Sequence, residues 1–169
     1  MNSVRLPRSV DEVFRRLAGP VHGYLRASGA RDSEDMLGDV FVDVMRALPR
    51  FRGDDDALRR WVFTIAHNHV VDERRRETRR RRAFGRLRPI DGAPPVAEPF
   101  DPQLEAALAC LTFEQREVVV LRFVADLSLE TVASMTGRTT GAVKALQHRA
   151  LAALQKALAT PTPTDAVTV

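Results

Sequence analysis

Between Ser128 and Arg149 the chain reads SLETVASMTGRTTGAVKALQHR, and three residues there restrict the local fold more than any others. Ala133 is small enough for two helices to cross closely. Gly137 falls where the turn between them demands a positive φ, which only glycine adopts cheaply. Val143 returns apolar weight to a second helix, and Leu146, Ala150 and Leu154 continue its buried stripe at helical spacing. Ser128 and Thr139 are suited to cap the two helices. Any one of these residues also fits an ordinary helical hairpin. Three in register, followed by Lys144, His148 and Arg149 on the exposed side, point to a helix-turn-helix that reads DNA.

The remainder of the chain also reads as helical. Aromatic residues make up only 6% of its 169 residues, and Leu, Ala, Val and Arg fill most segments, so an all-α protein is expected. That length suits one ordinary domain or two small ones. The formal net charge of +4 permits a polyanionic partner, and its distribution says more than its total. Between Asp72 and Arg88 stand nine arginines against three acids. Such a run is often a solvated tail; here it continues a strongly patterned helix, which favours contact with phosphate. Cys110 is the only cysteine, so no intramolecular disulfide can form, and its apolar surroundings make it a small buried core residue. The opening MNSVRLPRSVDEVF lacks the apolar core of a signal peptide, and no apolar run is long enough to span a bilayer. A soluble, cytoplasmic protein without membrane contact is expected.

Five of the ten prolines fall between Pro89 and Pro102, in PIDGAPPVAEPFDP. Proline at that density cannot hold a helix and favours an extended spacer. The expected organisation is a helical domain over 1–88, a linker over 89–102, a second helical domain over 103–159 and a frayed tail over 160–169. In the first domain, helices are expected from about Val10 to Ala27, with Gly19-Pro20 as a candidate interruption, and from about Ser33, as a cap, to Leu48. A polar loop from Pro49 to Asp56 follows, then a third helix from about Ala57 into the arginine run. In the second domain, a helix from about Gln103 to Cys110 precedes one from Phe113 to Phe123, opened by a Thr112/Gln115 capping box. The last helix extends to about Ala159, ahead of Pro161.

In the second helix, Leu37, Val40, Phe41, Val44 and Leu48 form a buried stripe. The opposite face carries Asp35, Asp39 and Asp43 at four-residue steps, beside Val42. A line of like charges costs a few tenths of a kcal/mol per pair in an isolated helix. Solvation alone accounts for it; a basic helical partner accounts for it equally well. The third helix buries Leu58, Trp61, Val62 and Ile65, and sets Arg60, Thr64, Asn68 and Arg75 along one polar side. His67 and His69 point to different faces and lack a third ligand, so no metal site is expected. No nucleotide loop, nucleophile elbow or HExxH sequence is present, and nothing selects a catalytic pair of acids. No enzyme activity and no cofactor are expected.

DSEDMLGDVFVDVM followed by FRGDDDALRRWVFTIAHNHVVDERRR resembles region two of bacterial sigma factors of the extracytoplasmic-function group, within the sigma-70 family. LTFEQREVVVLRFVADLSLETVASMTGRTTGAVKALQHRALAAL resembles region four of the same group. The resemblance covers the chain from about Val10 to Leu154, in the expected order. It implies a dissociable promoter-specificity subunit of RNA polymerase: two helical domains, partners in the β′ clamp helices, the β flap and promoter DNA, and a possible anti-sigma factor. Carried over residue by residue, Asp35, Asp39 and Phe41, with Val42 and Asp43 beside them, match the segment that docks on the clamp helices. Arg50, Arg52, Gly53, Asp54, Asp55 and Asp56 lie in the loop matching the one that captures an unstacked base at the minus-ten element. Arg60, Thr64, Asn68, Arg74 and Arg75 continue that DNA surface. Thr139, Thr140, Lys144, Ala145, His148 and Arg149 fall on the part matching the minus-thirty-five reader.

This chain has Gly38-Asp39 where many members have Gln-Glu, and Thr131 where they have Glu. Leu146-Gln147 stands for a more usual Arg-Leu, which removes a positive charge. The competing reading is a stand-alone helix-turn-helix regulator. Such a regulator has no use for the acidic helix, the loop and the arginine helix together.

Overall fold

The computed structural model describes residues 9–84 and 101–159. Arg86, Arg88, most of the expected linker and the expected tail lie outside the described residues. The regular elements described are all helical, and they fall into two compact units, the first three long helices and the remaining four.

In the first unit, α1 spans Val10–Ser28, α2 Ser33–Ala47 and α3 Asp55–Phe84, with a short 3-10 turn over Leu48–Arg50. The Ser9 hydroxyl caps α1 by accepting from the Glu12 N–H, and Gly29 closes the helix in the left-handed conformation. No interruption occurs at Gly19-Pro20: α1 runs straight through Pro20. An interior proline costs about 3 kcal/mol. Val13, Leu17, Val21, Tyr24 and Leu25 are buried on both sides of it, and side chains of that size contribute about 1.5–3 kcal/mol each. Burial wins.

Asp32, not Ser33, caps α2; its carboxylate accepts from the Asp35 N–H at 3.0 Å. Ser33 instead lies 3.0 Å from Nε2 of His22 on α1. The expected loop is shorter than its composition implied. The 3-10 turn takes Pro49 and Arg50, while Asp54 caps α3 by accepting from the Ala57 N–H at 2.8 Å. Only residues 51–54 lie outside helical turns.

Val40, Phe41, Val44 and Leu48 of α2 pack with Leu58, Val62, Phe63, Ala66 and Val70 of α3 in a core shared with α1. Leu37 of α2 is only half-buried, against expectation, and so are Trp61 and Ile65, because the inward face of α3 is centred on Val62, Phe63 and Ala66. Two edge-to-face aromatic pairs lock the unit: Tyr24 with Phe63 at 5.6 Å and Phe14 with Phe41 at 4.8 Å.

In the second unit, α4 spans Pro102–Ala109, α5 Phe113–Val119, α6 Leu129–Thr136 and α7 Thr140–Ala159. Pro102, expected as the last linker residue, is the first residue of α4 behind the Asp101 cap, a position where its missing N–H has no cost. The Thr112/Gln115 capping box forms in both directions. Past Val119 the helix widens into a π turn over Val120–Val124, and Asp126 adopts φ +54° before α6. The plain helix expected to Phe123 thus ends early.

Cys110 is exposed, not buried. The short helix α4 turns only Ala107 and Leu108 inward, and Cys110 sits at its C-terminal cap. Val118, Val119, Val120, Leu121, Val132, Ala133, Val143 and Ala150 make up much of the core, with Leu146 at its edge.

Candidate nucleic-acid interface and partner face

The junction between α6 and α7 is built by local chemistry. Gly137 takes φ +66°, which lets its N–H reach the Ser134 carbonyl and the Arg138 N–H reach that of Ala133, at 3.4 and 3.0 Å. Thr139 then caps α7, its Oγ1 accepting from the Ala142 N–H at 3.2 Å. Its hydroxyl is therefore engaged within the turn. Thr140, Lys144 and His148 stand at four-residue steps, as do Ala145 and Arg149, and all five are exposed. The Arg149 Nε donates to the Ala145 carbonyl at 3.3 Å, which holds the guanidinium along the helix.

Two polar latches invisible in the sequence fix this helix pair. Arg138 donates to the buried Glu117 carboxylate at 2.6 Å, tying the turn to α5. Arg122 donates to the Leu127 carbonyl and, at 3.4 Å, to Gln147 on α7. Gln147, a departure from the family pattern, thus faces its own unit. Hydrogen bonds from its own backbone N–H and the Ser128 hydroxyl hold the Glu130 carboxyl below its usual range, with smaller help from Arg122 and Lys144.

In the first unit, the loop residues divide their duties. Arg52 donates to the carbonyls of Pro49 and Phe51 at 3.0 and 2.8 Å, folding back on the loop it was expected to extend. Gly53 has φ +157°, and a Cβ there would lie 2.8 Å from the Ala57 Cβ and 3.0 Å from the Phe51 ring. Asp54 caps α3, and Asp55 pairs with Arg16 of α1 at 3.0 Å. Asp56, Arg50, Arg60 and Asn68 are exposed. Thr64 is half-buried and donates to the Arg60 carbonyl at 2.7 Å. Arg74 and Arg75 are exposed, Arg75 lying 3.6 Å from Asp72.

On α2, Asp35, Asp39 and Val42 are exposed. Phe41 is not: it is 6% exposed beneath Phe14, so its side chain supports this face from within. Asp43 is half-buried and 2.9 Å from Nε2 of His69, with Arg46 at 3.7 Å. His67 points the other way, into the core, with Nδ1 3.3 Å from the Tyr24 hydroxyl. Between α2 and α3 lies an open groove of about 730 Å³ that brings Asp35, Asp39 and Asp43 together with Trp61, Asn68 and His69. The acids and Asn68, read from the sequence as facing different partners, line one concavity. Trp61, read as core, stands in its wall and stacks on Phe51 at 5.0 Å.

Residues 13–80 match the family model for sigma-70 region 2, and residues 107–156 match that for sigma-70 region 4. The chain is 35% identical over 132 residues to the ECF RNA polymerase sigma factor ShbA of Streptomyces griseus, covering 72% of this chain and 69% of ShbA. It is 30% identical over 156 residues to the ECF RNA polymerase sigma factor BldN of Streptomyces coelicolor, covering 88% of this chain and 56% of BldN. The chain therefore spans little more than half the length of BldN. Its fold is similar to that of the sigma factor RpoE from Bartonella quintana, solved in complex with the anti-sigma factor NepR, with a TM-score of 0.75, 21% identity and coverage of 90% of this chain and 98% of RpoE. With both regions matched in order, the chain belongs to the extracytoplasmic-function group of the sigma-70 family of RNA polymerase sigma factors.

Proposed function

We propose that this chain is a promoter-specificity subunit: it binds core RNA polymerase in the cytoplasm and directs initiation through minus-ten and minus-thirty-five recognition. One observation carries the reading. A region-2 unit with an acidic α2 face beside the Phe51–Asp54 loop shares a chain with a region-4 helix that exposes Lys144, His148 and Arg149. The clamp helices of β′ suit the acids, and the β flap suits the region-4 unit. The loop and α3 meet the minus-ten element. Polymerase supplies the chemistry, so no cofactor of the chain's own is required. An anti-sigma protein, the kind of partner bound to the Bartonella quintana factor, would inhibit by covering the same faces. No helix among the described residues is long and apolar enough to cross a membrane.

Promoter binding with and without polymerase separates this reading from a stand-alone regulator. A labelled promoter duplex is expected to be bound specifically when core polymerase is present and only weakly by the chain alone. Equal sequence-specific binding without polymerase would favour the stand-alone regulator.

A further inference from the structure

Gly137, Arg138 and Thr139 join α6 to α7, and each is tied at a different point. The backbone N–H groups of Gly137 and Arg138 close α6 on its own carbonyls, and the Thr139 hydroxyl opens α7. The Arg138 side chain reaches out of the turn altogether. Its guanidinium donates to the Glu117 carboxylate of α5 at 2.6 Å, from 21 positions away in sequence. The Glu117 side chain is 6% exposed and that of Arg138 25%, so water and salt screen the contact little.

Stability alone does not account for this pair. Charges withdrawn from water lose in desolvation much of what their attraction returns, and two apolar side chains of similar volume would hold α5 to the turn about as firmly. What a short, charge-assisted hydrogen bond adds is direction, because the guanidinium is a planar, rigid donor. The point it fixes is the residue directly before the cap of α7. A second point lies at Gln147, to which Arg122 of the π turn donates at 3.4 Å. From Thr139 to Gln147 a helix advances about 12 Å. Two tethers that far apart define the axis of α7, whereas the apolar contacts of its buried Val143 and Ala150 are non-directional. Lys144 and Ala145 stand between the tethers, and His148 and Arg149 just beyond the second, all on the exposed side.

We propose that Arg138 is a positioning residue for minus-thirty-five recognition: held by Glu117, it sets the height and tilt at which α7 enters the major groove, with the Arg122–Gln147 contact as its second anchor. This rests on the promoter-directing reading above. Arg138 itself touches no base. A looseness of about 1 Å at the start of α7 is enough to spoil the geometry on which a bidentate base contact depends. The pair therefore governs discrimination between sites, and leaves affinity for the DNA backbone to the exposed cations.

The test is binding of promoter duplexes that differ at single minus-thirty-five positions, by holoenzyme reconstituted from core polymerase and the full chain. Glu117→Met/Arg138→Met replaces the pair by apolar side chains and leaves no buried charge unpaired. Its thermal unfolding and its binding to core polymerase should stay parental. Its preference for the best minus-thirty-five site over single-base variants should fall about tenfold, within the range one bidentate base contact supplies. Gln147→Leu, an uncharged change at a half-buried position, removes the second anchor and should lower the preference in the same direction. Arg138→Lys keeps a charge against Glu117 and should retain most of the preference. In all three the slope of log affinity against log salt and the minus-ten base profile should match the parent. Parental preference in either folded anchor variant would overturn the proposal. So would a slope flattened by about 0.9 in the double variant, which would make Arg138 a phosphate contact. A parent holoenzyme with no minus-thirty-five preference would sink the promoter-directing reading as well; a selective parent matched by its anchor variants sinks the positioning role alone.

Discussion

Gly53 is the residue at which the loop between α2 and α3 is least tolerant of a side chain. Its φ of +157° and the 2.8 Å separation that a Cβ at this position would have from Ala57 leave no room for a side chain without moving the start of α3. Gly53→Ala is expected to cost about 1–3 kcal/mol in urea unfolding, the usual range for backbone strain of this kind, and to weaken transcription from minus-ten-dependent promoters. Asp39 is a different case, exposed on α2 and free to change without disturbing the core. Asp39→Arg sets a positive charge against the basic clamp surface the family reading implies, a reversal that costs several kcal/mol at an interface. Core polymerase affinity should fall while circular dichroism stays parental; unchanged affinity would remove α2 from the docking face.

At the scale of the element, sequence and structure agree where the cause is local. Gly137, Ser128, Thr139 and the Thr112/Gln115 box were legible because each closes hydrogen bonds within four residues of itself. What depended on distant partners was not. Trp61 stands in the groove wall with its ring on Phe51, and Asp55 is drawn to Arg16, neither partner a neighbour in sequence. Cys110 shows the same limit, since a helical apolar pattern cannot tell where a short helix stops turning inward. Gln147 read only as a lost positive charge until Arg122 gave it a partner.

Helix α7 carries a test of its own. Loss of a bidentate base contact costs about 1–3 kcal/mol and relaxes preference at one position, whereas loss of a phosphate contact weakens all sequences alike and flattens the salt dependence. Arg149→Ala and Lys144→Ala, compared on variant minus-thirty-five sites across a salt series, should each give one of these signatures. If neither alters promoter use, the exposed face of α7 is not the reader. On α3, Glu77 binds the arginine run to the α1–α2 turn, and its pKa lies below the ordinary 4.5. A lowered folded-state pKa means the contribution is present above the unfolded value and lost as pH falls through the folded one. As pH falls below the ordinary 4.5, the parent should therefore lose more stability than Glu77→Gln in matched urea titrations.

At the scale of the whole molecule, labour is divided between two units of one chain. The first pairs an acidic face with a strained loop and an arginine helix; the second presents the capped helix α7, held by the Glu117–Arg138 and Arg122–Gln147 latches. In the function proposed above, polymerase supplies the chemistry and the two units together give it a start site. Run-off transcription with purified bacterial core polymerase, this chain and a genomic promoter library tests that claim most directly. Discrete start sites that share minus-ten and minus-thirty-five sequences, and that vanish when the chain is omitted, are the predicted result. Transcripts identical to those of core polymerase alone would contradict it.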